Sequence, residues 1–295
     1  MSTLGDLLAE HTVLPGNAVD HLHAVVGEWQ LLADLSFADY LMWVQRDDGA
    51  LVCVAQCRPN TAATVLLSDA VGTCATDAEL PLVTEAFRSG SIKREEDPHS
   101  SRLGLRRADL KVEAVPVRYD GTVVAVLTHQ TALASIRESS PLERAYLDCA
   151  GDLAHMISEG RFPNVGDLAM SRSSPRVGDG LIRLDVDGVV VFASPNAISA
   201  YHRMGLATEL DGQNLISVTR PLISDPFDAQ ELANHVRDLL AGGSSMRMEI
   251  DAGGAAVLLR TIPLSVGGQA VGAAVLVRDV TEIKRRDRAL LSKDA

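Results

Sequence analysis

Apolar positions along the chain change period several times, and each change marks an element. From Asn17 to Leu35, Val19, Leu22, Val25, Val26, Trp29, Leu32 and Leu35 recur at helical spacing, which predicts an amphipathic helix. Tyr40–Val44 and Leu51–Ala55 are short apolar runs joined through Asp47-Asp48-Gly49. An Asp-Gly pair between such runs predicts a hairpin, because both residues tolerate the positive φ of a tight turn. Leu80–Ser89 reads as a short helix stopped by Gly90, and Lys93–Lys111 as a charged, irregular stretch with some helix. A second hairpin is expected over Val112–Tyr119 and Thr122–Leu127, about Asp120-Gly121. Ser140 and Pro141 supply an N-cap and a first-turn proline for a helix running to about Ser158. Helix, hairpin, irregular middle, hairpin and helix together predict an α+β domain on an antiparallel sheet over residues 1–160.

Residues 161–178, rich in Pro, Gly and Ser, read as a linker. The pattern then restarts. Leu181–Asp185 and Val189–Ala193 flank Asp187-Gly188 as a third hairpin. From Pro195 to Ala241 the spacing is helical, in pieces broken at Gly205, Gly212 and Pro221. The last piece opens at Asp228 with Glu231 three residues on, close to a capping box. Three strands follow, Met246–Asp251, Ala256–Leu264 and Ala270–Val277, turned at Gly253-Gly254 and Gly267-Gly268. Residues 179–282 are thus a second α+β domain, and the fold class is α+β throughout: two antiparallel sheets, each flanked by helices. A charged helix opens at Thr281, so residues 283–295 read as the start of a helix that is cut short at Ala295. Its Ile283 and Leu290 lie seven apart, the spacing of a coiled-coil seam.

Composition narrows the function. Hydrophobic residues make up 46% of the 295, enough for two cores. Against 27 basic groups stand 39 acidic ones, a net charge of −12, which repels phosphate backbones and disfavours nucleic-acid binding. At 4% aromatic content there are few rings for a base-stacking platform. The acid is uneven: residues 1–160 carry −11 and residues 161–295 carry −1, as separate domains would. The longest charge-free run, Thr261–Val277, is 17 residues and holds Pro263 and Gln269, short of the roughly 20 apolar residues of a membrane span. The N-terminus lacks the basic region of a secretory signal. Cys53, Cys57, Cys74 and Cys149 are irregularly spaced, so no disulfide framework is expected. These features predict a cytoplasmic protein with reduced thiols.

Several residues carry candidate chemistry. Cys53 and Cys57 lie four apart, and thiolates bind soft metals and respond to oxidants. Parity puts both on one face of a continuous strand, but four strand residues span about 13 Å, so a shared metal or a disulfide requires the strand to end or bulge. Packing is the competing reading, since cysteine is among the most buried residue types. His21 and His23, two apart on the first helix, point to different faces and do not form a metal pair. Arg102, Arg106 and Arg107, with Lys111, form the basic patch of an acidic half. On a helix Arg102 and Arg106 would share a face and could hold an anionic group bidentately. The competing role is neutralising Glu95, Glu96 and Asp97. No cysteine lies beyond residue 149, which excludes a flavin–cysteine adduct in the second domain, and only His202 and His235 offer a haem ligand there. Asp251-Ala-Gly253 falls in a hairpin turn, and neither His155 nor His235 stands in a phosphoacceptor context. The chain has no G-x-x-x-x-G-K, H-E-x-x-H or G-x-S-x-G.

Residues 12–160 resemble a GAF domain in their order of elements and in the hairpin PVRYDGTVVAVL. Residues 179–282 resemble a PAS domain. Asp187-Gly188 followed by VVVFASPNAISAY is similar to that family's passage from second strand to first helix, with Ser194 where the family has asparagine. ELDGQNL is similar to its Gly-x-Asn-Leu signature, and Asp279-Val280-Thr281 to its Asp-x-Thr exit into a signalling helix. A GAF–PAS pair with such an exit resembles the sensory half of a soluble actinobacterial two-component histidine kinase, of the type acting on transcription antitermination. The resemblance implies phosphoacceptor and ATP-binding regions beyond Ala295, with autophosphorylation on histidine and an antitermination response regulator as partner. It also implies a homodimer when intact and no membrane or direct nucleic-acid contact. The chain by itself would have no catalytic residue, its cofactor is unknown, and a thiol-bound metal in the GAF-like domain stays open. Two other readings also stay open: a ligand-free dimerisation scaffold, and the input half of a different enzyme such as a cyclic-nucleotide synthase or a phosphatase.

Overall fold

The computed structural model describes residues 3–95, 110–132, 139–163 and 174–291. The chain divides into two compact units, the first of residues 1–140 and 146–163 and the second of residues 141–145 and 164–295. The first comprises α1 (Leu4–His11), α2 (Gly16–Ser36), β1 (Asp39–Gln45), β2 (Leu51–Cys57), β3 (Cys74–Ala75), α3 (Pro81–Ser89), β4 (Lys93–Arg94), β5 (Leu110–Tyr119), β6 (Thr122–Ala132) and all but the first five residues of α4 (Pro141–Ser158). The strands form one sheet in the order β3-β2-β1-β6-β5-β4, every neighbour antiparallel. Both expected hairpins and the helices over Asn17–Leu35 and Pro141–Ser158 are present.

The apolar period does not mark α1, but its cap does. Thr3 Oγ1 accepts from the Asp6 backbone N–H at 3.2 Å, and Asp6 Oδ2 accepts from the Thr3 N–H at 2.8 Å, a reciprocal pair that satisfies two orphan donors. Within the charged stretch expected to be irregular, β4 pairs with β5 through Lys93 and Arg94. The two faces of the sheet are covered differently. Leu80, Val83 and Ala86 of the α3 region pack on Leu41, Trp43, Leu51, Cys53, Ala114 and Val126. α2 lies on the other face, where Ser36 Oγ meets the Tyr40 hydroxyl at 3.2 Å.

One position in α2 yields a direct test. Gly27 is exposed in the helix interior, with nothing within 4 Å of where a Cβ would stand. Gly27→Ala is therefore expected to raise stability by about 0.5–1 kcal/mol, through the smaller backbone entropy of the unfolded chain. A urea midpoint equal to or below that of the wild type would contradict this.

The second unit comprises β7 (Leu181–Leu184), β8 (Val190–Ala193), α5 (Pro195–Met204), α6 (Leu215–Thr219), a 3-10 turn (Arg220–Leu222), α7 (Pro226–Leu240), β9 (Met246–Ala252), β10 (Ala255–Val266), β11 (Gln269–Asp279) and α8 (Thr281–Leu291). Its sheet is antiparallel in the order β8-β7-β11-β10-β9. Tyr201 and Met204 of α5, Leu215 of α6 and Leu232, Val236 and Leu239 of α7 pack with Leu184, Ile250, Val257, Leu259 and Val275 into one core. The start of α7 corrects the expectation. Asp225, not Asp228, is the N-cap and its Oδ1 accepts from the Phe227 N–H at 2.8 Å. Pro226, which has no N–H to leave unsatisfied, fits the first helical turn and moves the cap upstream of it.

Candidate functional site

Cys53 and Cys57 are parted by a bulge. In the β1–β2 register Met42 faces Ala55 but Trp43 faces Cys53, so Val54 is the extra residue on β2. Cross-strand partners share a face, and adjacent residues of β1 face opposite ways. Cys53 therefore joins Trp43 and Leu41 on the α3 face, while Cys57 joins Tyr40 on the α2 face. Parity would place both thiols on one face only of a continuous strand, and here the bulge inserts one residue between them and reverses the alternation. The Cys57 Sγ lies 3.4 Å from Gln30 Oε1. Burial pushes both thiols up to about 12, with the Asp34 and Asp39 carboxylates adding to the effect at Cys57, so neither site favours a thiolate. Among the described residues no group of three or more His, Cys, Asp or Glu side chains is placed to hold a metal ion.

The other candidates separate as well. His21 is half-buried, its ring 5.1 Å from that of Tyr119, and burial lowers its pKa; His23 is exposed. Arg102, Arg106 and Arg107 lie outside the described residues, and Lys111 is exposed on β5.

What the register does assemble on the α2 face is a polar row. Cys57 pairs with Tyr40, Tyr40 with His129, His129 with Glu113, and Glu113 with Arg94, one residue from each of β2, β1, β6, β5 and β4. The Tyr40 and His129 rings stack at 5.2 Å. Glu113 Oε1 lies 3.5 Å from His129 Nε2, and its Oε2 accepts from Arg94 Nε at 2.5 Å. Burial alone would raise the Glu113 pKa, but hydrogen bonds and charge from His129 and Arg94 outweigh it and hold the carboxyl at about 2. Nothing in the local sequence marks this row, since it exists only once four strand registers are set.

In the second unit the family signatures resolve into hydrogen bonds. Ser194 Oγ accepts from the N–H of Leu181 at 2.9 Å and of Ala197 at 3.4 Å, so serine caps α5 and ties it to β7. Asn214 caps α6 by accepting from the Ser217 N–H at 3.2 Å, and donates to Asp187 O at 3.0 Å. Asp279 and Thr281 form the exit. Asp279 Oδ1 accepts from the Thr281 N–H at 2.9 Å and from its hydroxyl at 2.5 Å. Asp279 Oδ2 accepts from Arg203 Nη1, on α5, at 2.6 Å, and Thr281 Oγ1 accepts from the Ala256 N–H of β10 at 3.0 Å. Burial works to raise the Asp279 pKa, but the Thr281 and Arg203 contacts prevail and lower it. The first residue of α8 is thereby fixed to both the sheet and α5.

A family model of the GAF domain of histidine kinase PdtaS matches residues 4–150, and one of the PAS fold matches residues 175–285. Sensor histidine kinase PdtaS of Mycolicibacterium smegmatis is 75% identical over 295 residues, which are 100% of this chain and 59% of that protein. Its namesake in Mycobacterium tuberculosis is 68% identical over 297 residues, again 100% and 59%. A solved structure of the sensor region of a sensor histidine kinase superposes with a TM-score of 0.85 at 65% identity, covering 96% of this chain and 100% of that one. The chain belongs to the PdtaS family of sensor histidine kinases.

Within the PdtaS family the chain corresponds to the GAF–PAS sensory portion, and it spans 59% of the length of the curated relatives it matches. In the sequence itself the order of elements carries the GAF-like half, and the Asp187-Gly188 hairpin and the Asp279–Thr281 exit carry the PAS-like half. No helix among the described residues is long and apolar enough to cross a membrane.

Proposed function

We propose that this GAF–PAS region is the input half of a PdtaS-type kinase that phosphorylates itself on histidine, uses ATP, and passes the phosphoryl group to a response regulator of the antitermination type. The intact protein acts as a homodimer, and signals arriving at the GAF or PAS unit shift the population of two packings that differ in how α8 leaves the PAS sheet. The observation that carries this reading is the exit itself. Asp279 is bonded at once to the first residue of α8 and to Arg203 on α5, and Tyr201, two residues before Arg203, is buried in the PAS core with its hydroxyl 2.8 Å from Thr219 Oγ1. A change in that core therefore reaches the exit helix through one short helix and one carboxylate.

The test uses the full-length kinase with labelled ATP. Acid-labile, alkali-stable label on the protein, transferable to an isolated receiver domain, is the expected result. Asp279→Ala is expected to change the steady-state label at least about fivefold in either direction, the effect of a coupling free energy near the low end of measured values. Absence of histidine-bound label in the wild type would sink the proposal.

A further inference from the structure

Beyond its cap, α8 is tied to the PAS sheet by Lys284. This residue, a turn past the Asp279–Thr281 junction, ion-pairs with Glu249 and lies 3.6 Å from Asp251 Oδ1. Both carboxylates belong to the edge strand β9. A second charged pair on this stretch, Arg285 with Glu282 at 2.9 Å, is internal to the helix, and Ile283 is 49% exposed. Thr281 and Asp279 fix where the helix begins. Lys284 fixes the direction in which it leaves.

The alternation of β9 gives that contact a regulatory meaning. Glu249 and Asp251 are exposed, while Met248, Ile250 and Ala252 between and beside them line the buried core. Side chains on one strand alternate across the sheet, so any ligand or repacking that shifts or twists β9 from the core side moves both carboxylates on the helix side. We infer that Lys284 with Glu249 and Asp251 is an electrostatic latch that docks α8 against β9 and releases it when β9 moves or the charges are screened. Because the carboxylates are half-exposed, the latch is weak and salt-sensitive, which suits an element that must open. The inference rests on the kinase reading for its consequence only. The latch itself is a property of this chain.

Two readouts keep those apart. In this chain, Lys284→Glu is expected to speed amide hydrogen exchange across α8 about fivefold, the equivalent of a surface ion pair near the upper end of measured values. Wild-type exchange there is expected to quicken on going from low to high salt, and that of Lys284→Ala to be nearly insensitive. The charge reversal Lys284→Glu with Glu249→Lys and Asp251→Lys is expected to restore slow exchange, which a merely structural role for the lysine stem would not. Exchange in Lys284→Glu within twofold of the wild type, or no recovery in the reversal, overturns the latch. In the full-length kinase, Lys284→Glu is expected to change histidine-bound label at least threefold and the reversal to correct it. Faster exchange with unchanged label would overturn the regulatory role. A wild-type kinase that forms no label refutes the kinase proposal instead, and the exchange result alone then decides the latch.

Discussion

Gly272→Ala is expected to destabilise the second unit by about 4 kcal/mol, at the severe end for a single methyl group. Gly272 sits on β11 opposite Leu264, at a register shift where Ala270 already pairs with Ser265, so Val271 is an extra residue on β11. Its φ is +133°, outside the range that L side chains adopt comfortably. A Cβ there would stand 2.0 Å from the carbonyl oxygen of Leu184, 3.0 Å from its carbonyl carbon and 3.2 Å from Asp185 Cα. All three are backbone atoms, so no rotamer change relieves the overlap. β7 must separate from β11, and the β7–β11 pairing from Leu181 to Leu184 is what joins the first hairpin of this unit to the rest of its sheet. Gly254→Ala is the control. Gly254 has φ +84° but nothing within 4 Å of where a Cβ would stand, so it carries the conformational cost without the overlap, about 1 kcal/mol. Both tryptophans, Trp29 and Trp43, lie in the first unit. Gly272→Ala should therefore shift the urea transition seen by far-UV circular dichroism more than the one seen by tryptophan fluorescence. A circular-dichroism midpoint equal to that of Gly254→Ala would remove the steric argument.

Gly272 also shows what one-dimensional reading can and cannot reach. The hairpins at Asp47-Asp48-Gly49, Asp120-Gly121 and Asp187-Gly188 are legible in the sequence because turn chemistry is local: the residues that need positive φ are the residues that are written there. The same holds for the helix from Pro141 to Ser158, which opens on a proline suited to a first turn. The bulge at Val54 is not legible. Val54 is an ordinary strand residue, and only its partner strand reveals that Met42 and Trp43 face Ala55 and Cys53, skipping it. Because side-chain direction in a strand has a period of two, that single insertion sends Cys53 and Cys57 to opposite faces and dissolves the most conspicuous candidate pair in the sequence. The polar row from Cys57 to Arg94 is the converse case. Its members are scattered over residues 40 to 129, and four antiparallel registers are needed to align them. The exit into α8 lies between these extremes, since Asp279 and Thr281 are neighbours in sequence but Arg203 and Ala256, which give them their purpose, are not.

The row carries the second large effect, and its sign follows from Glu113. The residue is 8% exposed and its carboxyl is held at about 2 in the folded state, against an ordinary value of 4.5. Between those two pH values the unfolded chain binds a proton that the folded chain does not, so stability rises with pH across the window. The contribution is fully present above about pH 4.5 and is lost as the pH falls toward about 2, for a total of about 3 kcal/mol. The hydrogen bonds and charge that His129 and Arg94 direct at the carboxylate are the source, and protonating Glu113 removes the negative charge they act on. Glu113→Gln removes the titration while keeping size and hydrogen-bonding capacity. Its deficit in stability relative to the wild type is expected to be about 2–3 kcal/mol near neutral pH, the scale of a charge-assisted bond broken on one side. That deficit should shrink steadily below about pH 4.5 and nearly vanish by about pH 2. Urea titrations followed by tryptophan fluorescence, which reports this unit, measure it directly. A deficit that stays constant from neutral to acid pH would show that Glu113 contributes by packing and neutral hydrogen bonds alone, and that the charge of the row does not hold the sheet together.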